Sequence, residues 1–69
     1  MELHWEDGAE IRVRTERGEA LISANPAGLR SLAGHLLRLA EEPPGSHLHL
    51  DRWNALEDDS DALLLERTK

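Results

Sequence analysis

Asn25-Pro26-Ala27-Gly28-Leu29-Arg30-Ser31-Leu32-Ala33-Gly34-His35-Leu36-Leu37-Arg38-Leu39-Ala40, closed by Glu41-Glu42-Pro43-Pro44-Gly45, is the stretch on which the fold turns. Asn25 has the side chain to accept hydrogen bonds from first-turn N–H groups, and Pro26 at the first helical position forfeits no bond. Leu29, Leu32, Ala33, Leu36, Leu37 and Ala40 follow the i, i+3, i+4, i+7 spacing of one apolar face. That stripe is the expected buried side. Arg30, Ser31, Arg38 and Glu41 fall opposite it, with His35 at the border. Pro43-Pro44-Gly45 stops the helix. About seventeen residues at ~1.5 Å each make a rod of about 25 Å, enough to cross a small sheet. Gly28 and Gly34 each cost about 1 kcal/mol in a helix relative to Ala. Gly34, on the polar side, reads as a tolerant surface position, with close approach of a partner as the alternative.

Outward from the helix the period changes to two. Glu2-Leu3-His4-Trp5-Glu6 and Glu10-Ile11-Arg12-Val13-Arg14-Thr15 alternate, with Leu3, Trp5, Ile11 and Val13 on the inward side. Asp7-Gly8 and Arg17-Gly18 are turn signals. Glu19-Ala20-Leu21-Ile22-Ser23 reads as a third strand. After the helix, His47-Leu48-His49-Leu50-Asp51 sends Leu48 and Leu50 to one face and His47, His49 and Asp51 to the other. Residues 52–60 read as a loop with room for one helical turn. The apolar run in Asp61–Arg67 suits a central or doubly covered strand.

The expected order is β-β-β-α-β-β: one α+β domain over residues 1–69, with a mostly antiparallel sheet and one helix packed on one face. The helix covers Leu3, Trp5, Ile11, Val13, Leu48 and Leu50. The other face is left to Arg12, Arg14, His47, His49 and His4, and a dimer would cover it.

Composition narrows the function classes. The 69 residues carry a formal net charge of −6, which argues against nucleic-acid binding, since Lys and Arg must neutralise phosphates. The same field would attract a basic protein. Cysteine is absent, so disulfides cannot reinforce a core this small, and a reducing cytosol suits the chain. No apolar run is long enough to span a bilayer, and Met1-Glu2-Leu3-His4 lacks the basic and apolar regions of a signal peptide. The localisation this suggests is cytoplasmic.

Three constellations carry potential chemistry. His47, His49 and Asp51 could supply metal ligands from one strand face, with His4 as a fourth, but an exposed polar face without metal fits them as well. Glu57-Asp58-Asp59-Ser60-Asp61 is either a solvated loop or an epitope for a basic surface, its charged members being Glu57, Asp58, Asp59 and Asp61. It lacks the alternation and central Gly of a calcium loop. Trp53 offers a surface anchor, but as a large aromatic in a small core it is expected buried against the helix end. There is no phosphate-binding glycine motif, and no nucleophile has an identifiable base. The expectation is a non-enzymatic domain without a cofactor.

Ile22-Ser23-Ala24-Asn25-Pro26-Ala27-Gly28-Leu29 leads into Leu32-Ala33 and Leu36-Leu37, then into His47–Asp51 and Asp59-Ser60-Asp61-Ala62-Leu63-Leu64-Leu65-Glu66. This pattern resembles immunity protein family thirty-two of polymorphic toxin systems, over roughly residues 19 to 67. The shared features are an Asn-Pro helix start, a Leu-rich helix and a His-containing strand. The resemblance implies a bacterial cytoplasmic protein that binds and neutralises a cognate toxin, and it brings no catalytic motif. The first 18 residues lie outside it. Beside this reading stand a metal-binding domain built on His47, His49 and Asp51, and a structural homodimer.

Overall fold

A computed structural model describes residues 2–69; Met1 lies outside the described residues. Strand β1 (Ile11–Glu16) and strand β2 (Glu19–Ala24) form one antiparallel hairpin. Helix α1 (Pro26–Ala40) follows, then strands β3 (His47–Leu50) and β4 (Leu63–Glu66), which form a second antiparallel hairpin. The domain is therefore α+β with its helix and antiparallel strands as expected, but the strands make two small sheets rather than one. Residues 2–6 alternate in sequence yet adopt no strand. They lie along α1 instead, where Glu6 N–H donates to Ser31 Oγ at 2.9 Å and Arg30 Nε donates to Glu6 Oε2 at 2.9 Å.

The first hairpin closes through Arg17 and Gly18, both at positive φ (51° and 77°), with Glu16 paired to Glu19. Two successive residues of that kind match the right-handed twist of the strands they join.

The two sheets are tied together along the outer edge of β1. Residues 57–61 run beside it: Glu57 N–H donates to Ile11 C=O and Asp61 N–H to Val13 C=O, both at 2.9 Å. The reciprocal bonds come from side chains, as Val13 N–H donates to Ser60 Oγ (2.7 Å) and Thr15 N–H to Asp61 Oδ2 (3.0 Å). Short polar side chains compete well for backbone donors, so this segment seals the edge without becoming a strand.

Between these layers sits a core of Ile11, Val13, Leu32, Leu48, Leu50 and Leu56, with Leu3, Trp5, Leu63 and Leu65 packed against it. The inward assignment of Leu3, Trp5, Ile11, Val13, Leu48 and Leu50 agrees with this core. Three other expectations do not hold. β4 alternates rather than being doubly covered, with Leu64 58% exposed. Trp53 is 81% exposed rather than buried, because Leu56 takes the inward position of its loop. The helix is also rolled about its axis.

The buried face of α1 is Gly28, Ser31, Leu32, His35 and Leu39. Leu29, Leu36 and Leu37 are exposed (52%, 45% and 72%), as are Ala33 and Ala40. The cause lies at the first turn. Asn25 caps the helix by accepting from Gly28 N–H (2.8 Å), and the same oxygen accepts from Glu10 N–H (3.0 Å) while its Nδ2 donates to Gly8 C=O (2.8 Å). This clamps the helix start onto β1, and a Cβ at Gly28 would stand 2.5 Å from Glu10 C=O and 2.9 Å from Ile11. Only glycine allows that approach, and the rest of the helix is rolled to suit. The helix stops at Ala40, with Glu41 and Glu42 closing the last turn by donating to Arg38 and Leu39 C=O. The residue before a proline resists the helical conformation, which explains the stop ahead of Pro43.

His35, expected at the border, is 1% exposed and packs edge-on against Trp5, ring centroids 4.5 Å apart. Neither of its nitrogens has a hydrogen-bond partner among the described residues. Burial pushes its pKa below the ordinary imidazole range, and the charge of Arg38 adds to this.

This packing sets the response to substitution and to pH. Gly28→Ala costs about 1–3 kcal/mol through overpacking, despite the ~1 kcal/mol that Ala gains in helix propensity. Gly34 behaves oppositely, because a Cβ added there would meet no described atom within 4 Å. Gly34→Ala stabilises by about 0.5–1 kcal/mol in denaturant titration. For His35, the unfolded chain binds the proton more readily than the folded one. Its contribution to stability is full above about pH 6.5 and is lost as pH falls from there toward the lowered folded value. The Tm should drop across this window, and His35→Leu should flatten that drop. The losses from Asp59 and Glu6, whose pKa values are lowered by Arg12 and Arg30 respectively, come at lower pH, as it falls through the carboxylate range.

Candidate protein-binding surface

The second hairpin sorts its side chains by register. Leu48 pairs with Leu65 and Leu50 with Leu63 on the inner face, while His47 pairs with Glu66 and His49 with Leu64 on the outer. His47 and His49 are exposed and meet edge to face, centroids 5.4 Å apart. The outer face is thus two imidazoles, a carboxylate and an exposed leucine.

Directly after β3 the chain makes a tight turn. Asp51 C=O accepts from the N–H groups of Asn54, Ala55 and Leu56 at 3.2, 3.0 and 2.9 Å. Trp53 N–H donates to Asp51 Oδ1 and Asp51 N–H to Asn54 Oδ1, both at 2.9 Å, and Asn54 Nδ2 donates to His49 C=O at 2.8 Å. Leu56 anchors the turn in the core. The turn holds Trp53 out in solvent, with the Arg52 guanidinium 4.6 Å from its ring centroid. A chain with few aromatics favours Trp53 in the core on sequence grounds alone. The better signal is Asp51 and Asn54 flanking it, which favour a local turn.

The acidic cluster divides. Asp59 accepts from Arg12 Nε at 2.8 Å and from Arg14 NH2 at 3.2 Å, and its backbone carbonyl also accepts from Arg14. The Arg12 bond, with Arg14 in support, holds its carboxyl below the usual range. Asp61 accepts from Thr15. These two carboxylates fasten residues 57–61 to β1. Asp58 is exposed and Glu57 half-buried. Arg12 and Arg14, expected on an open face, spend their charge on Asp59.

The candidate metal ligands are not gathered. Asp51 is turned to Trp53 N–H, and His4 sits 3.4 Å from Glu2 beside the helix. Among the described residues no group of three or more His, Cys, Asp or Glu converges to hold a metal ion. No described helix is long and apolar enough to cross a membrane.

Comparison with curated proteins and with solved structures returned no match. The family model described as Immunity protein 32 matches residues 19–68, from β2 through β4. The matched span contains the helix, the histidine strand and the displayed Trp53, and leaves β1 outside. It covers well over half of the chain, and the protein belongs to the Immunity protein 32 family.

Proposed function

We propose that this protein neutralises a cognate bacterial toxin by binding it, without catalysis, in the cytoplasm. The family match over residues 19–68 carries the reading. The surface supports it. A net charge of −6 steers a cationic partner toward the domain, and salt would weaken that attraction. Trp53 is the natural anchor: Trp and Arg dominate binding energy at interfaces, and here both are held by a turn that costs little to order further. His47 and His49 extend the contact across the outer face of the second hairpin. Asp58 and Glu57 offer carboxylates to basic side chains, while Asp59 and Asp61 contribute to the local field from positions already bonded within the fold.

Co-expression with the toxin-like protein encoded beside this one should restore growth of the producing cell, and the purified pair should form a complex. Trp53→Ala should weaken that complex by about 2 kcal/mol, roughly 30-fold in Kd, with the melting temperature unchanged. Failure of both rescue and complex formation would sink the reading.

A further inference from the structure

The exposed flank of α1 is patterned. Leu29, Ala33, Leu36 and Ala40 are separated by four, three and four residues, the seam spacing of paired helices. All four are exposed. The flank bearing Ser31, Arg30 and Arg38 is taken by residues 2–6 of the same chain, through Glu6 and the Glu2 carbonyl. Nothing comparable among the described residues covers the leucines. Large exposed apolar side chains grouped on one face of a small domain mark an interaction site.

The order of sizes identifies the occupant. Read forward the seam is Leu, Ala, Leu, Ala; read backward it is Ala, Leu, Ala, Leu. An antiparallel copy of the same helix therefore sets every leucine against an alanine: Leu29 against Ala40 and Leu36 against Ala33, each met twice across a two-fold axis. Such a surface is complementary to itself, as an isologous interface requires, and the alanines allow close approach of the backbones. Charge agrees with size. The first turn of α1 contains no acidic residue, and antiparallel pairing brings Glu41 and Glu42 of the other copy to that positive end. Leu37, the most exposed leucine of the helix, falls beside the aliphatic stem of the other copy's Arg30.

From this self-complementary seam we infer that the protein forms a two-fold dimer through α1, with Leu29, Ala33, Leu36 and Ala40 interleaved antiparallel. This interface is not the outer sheet face on which a dimer was expected, and it leaves His47, His49 and Trp53 free. It does not depend on the immunity reading.

Sedimentation equilibrium of the full chain between about 1 and about 500 µM tests the dimer directly. The expected result is a reversible monomer–dimer equilibrium within that range. Leu36→Ala and Ala33→Leu should each weaken it at least ~10-fold, while the double variant, which restores a leucine opposite every alanine, should recover it. These positions are exposed, so circular dichroism at low concentration should be unchanged. The chain has no cysteine, which permits a positional check: Leu29→Cys mixed with Ala40→Cys should cross-link at least ~10-fold faster than Leu29→Cys alone. A wild-type monomer at every concentration overturns the inference, as does a double variant that fails to recover association or a mixture that cross-links no faster. Loss of toxin binding in Leu36→Glu, against a monomeric wild type, would assign the seam to the toxin and overturn it too.

Discussion

The fold depends on the outer edge of β1 being sealed by residues 57–61. Two backbone bonds to Ile11 and Val13, and side-chain bonds from Ser60 and Asp61, join one hairpin to the segment that leads into the other. They close the open edge of β1 and join two two-stranded hairpins that would each be of marginal stability alone. With them, Ile11 and Val13 face Leu48, Leu50 and Leu56 across one core. The strand that organises the domain thus lies outside the span matched by the family model, although the family's helix and second hairpin pack on it.

The roll of the helix follows from a second constraint at the other end of β1. Asn25 bonds at once to its own helix and to the chain entering β1, and the absent side chain of Gly28 lets the two backbones meet. Once that junction is fixed, Ser31, Leu32, His35 and Leu39 turn inward and the leucines at 29, 36 and 37 turn outward. The inward face includes a histidine whose nitrogens have no partner among the described residues and whose neutral form is favoured by burial. It is a less apolar face than the one it displaced. An exposed, regular apolar seam is the consequence.

The charges show a similar division between scaffold and surface. Arg12, Arg14 and Arg30 are committed to Asp59 and Glu6, so they contribute little outward positive charge. The excess carboxylates remain largely on the surface. Exposed ion pairs of this kind add little stability singly. Those at Asp59 have a geometric value, since they fix the acidic segment against β1. The Trp53 turn is fixed by neutral and carboxylate hydrogen bonds instead, which hold its tip in place without burying it.

Features that depend on local chemistry are legible in the residues alone. Asn25-Pro26 starts the helix, Pro43 ends it, Arg17-Gly18 turns the hairpin, and alternation puts Leu48 and Leu50 inside and His47 and His49 outside. Each of these is decided within a few residues by backbone geometry or period. The tertiary structure decided which flank of α1 is buried, that residues 2–6 bind the helix rather than a sheet, and that Leu56 rather than Trp53 enters the core. Those outcomes turn on contacts between segments 15 to 47 residues apart, such as Asn25 with Glu10 and Ser60 with Val13, where no periodicity links the partners. Hydrophobic spacing states how much of a helix could be buried. Where the backbone can approach most closely decides which side is.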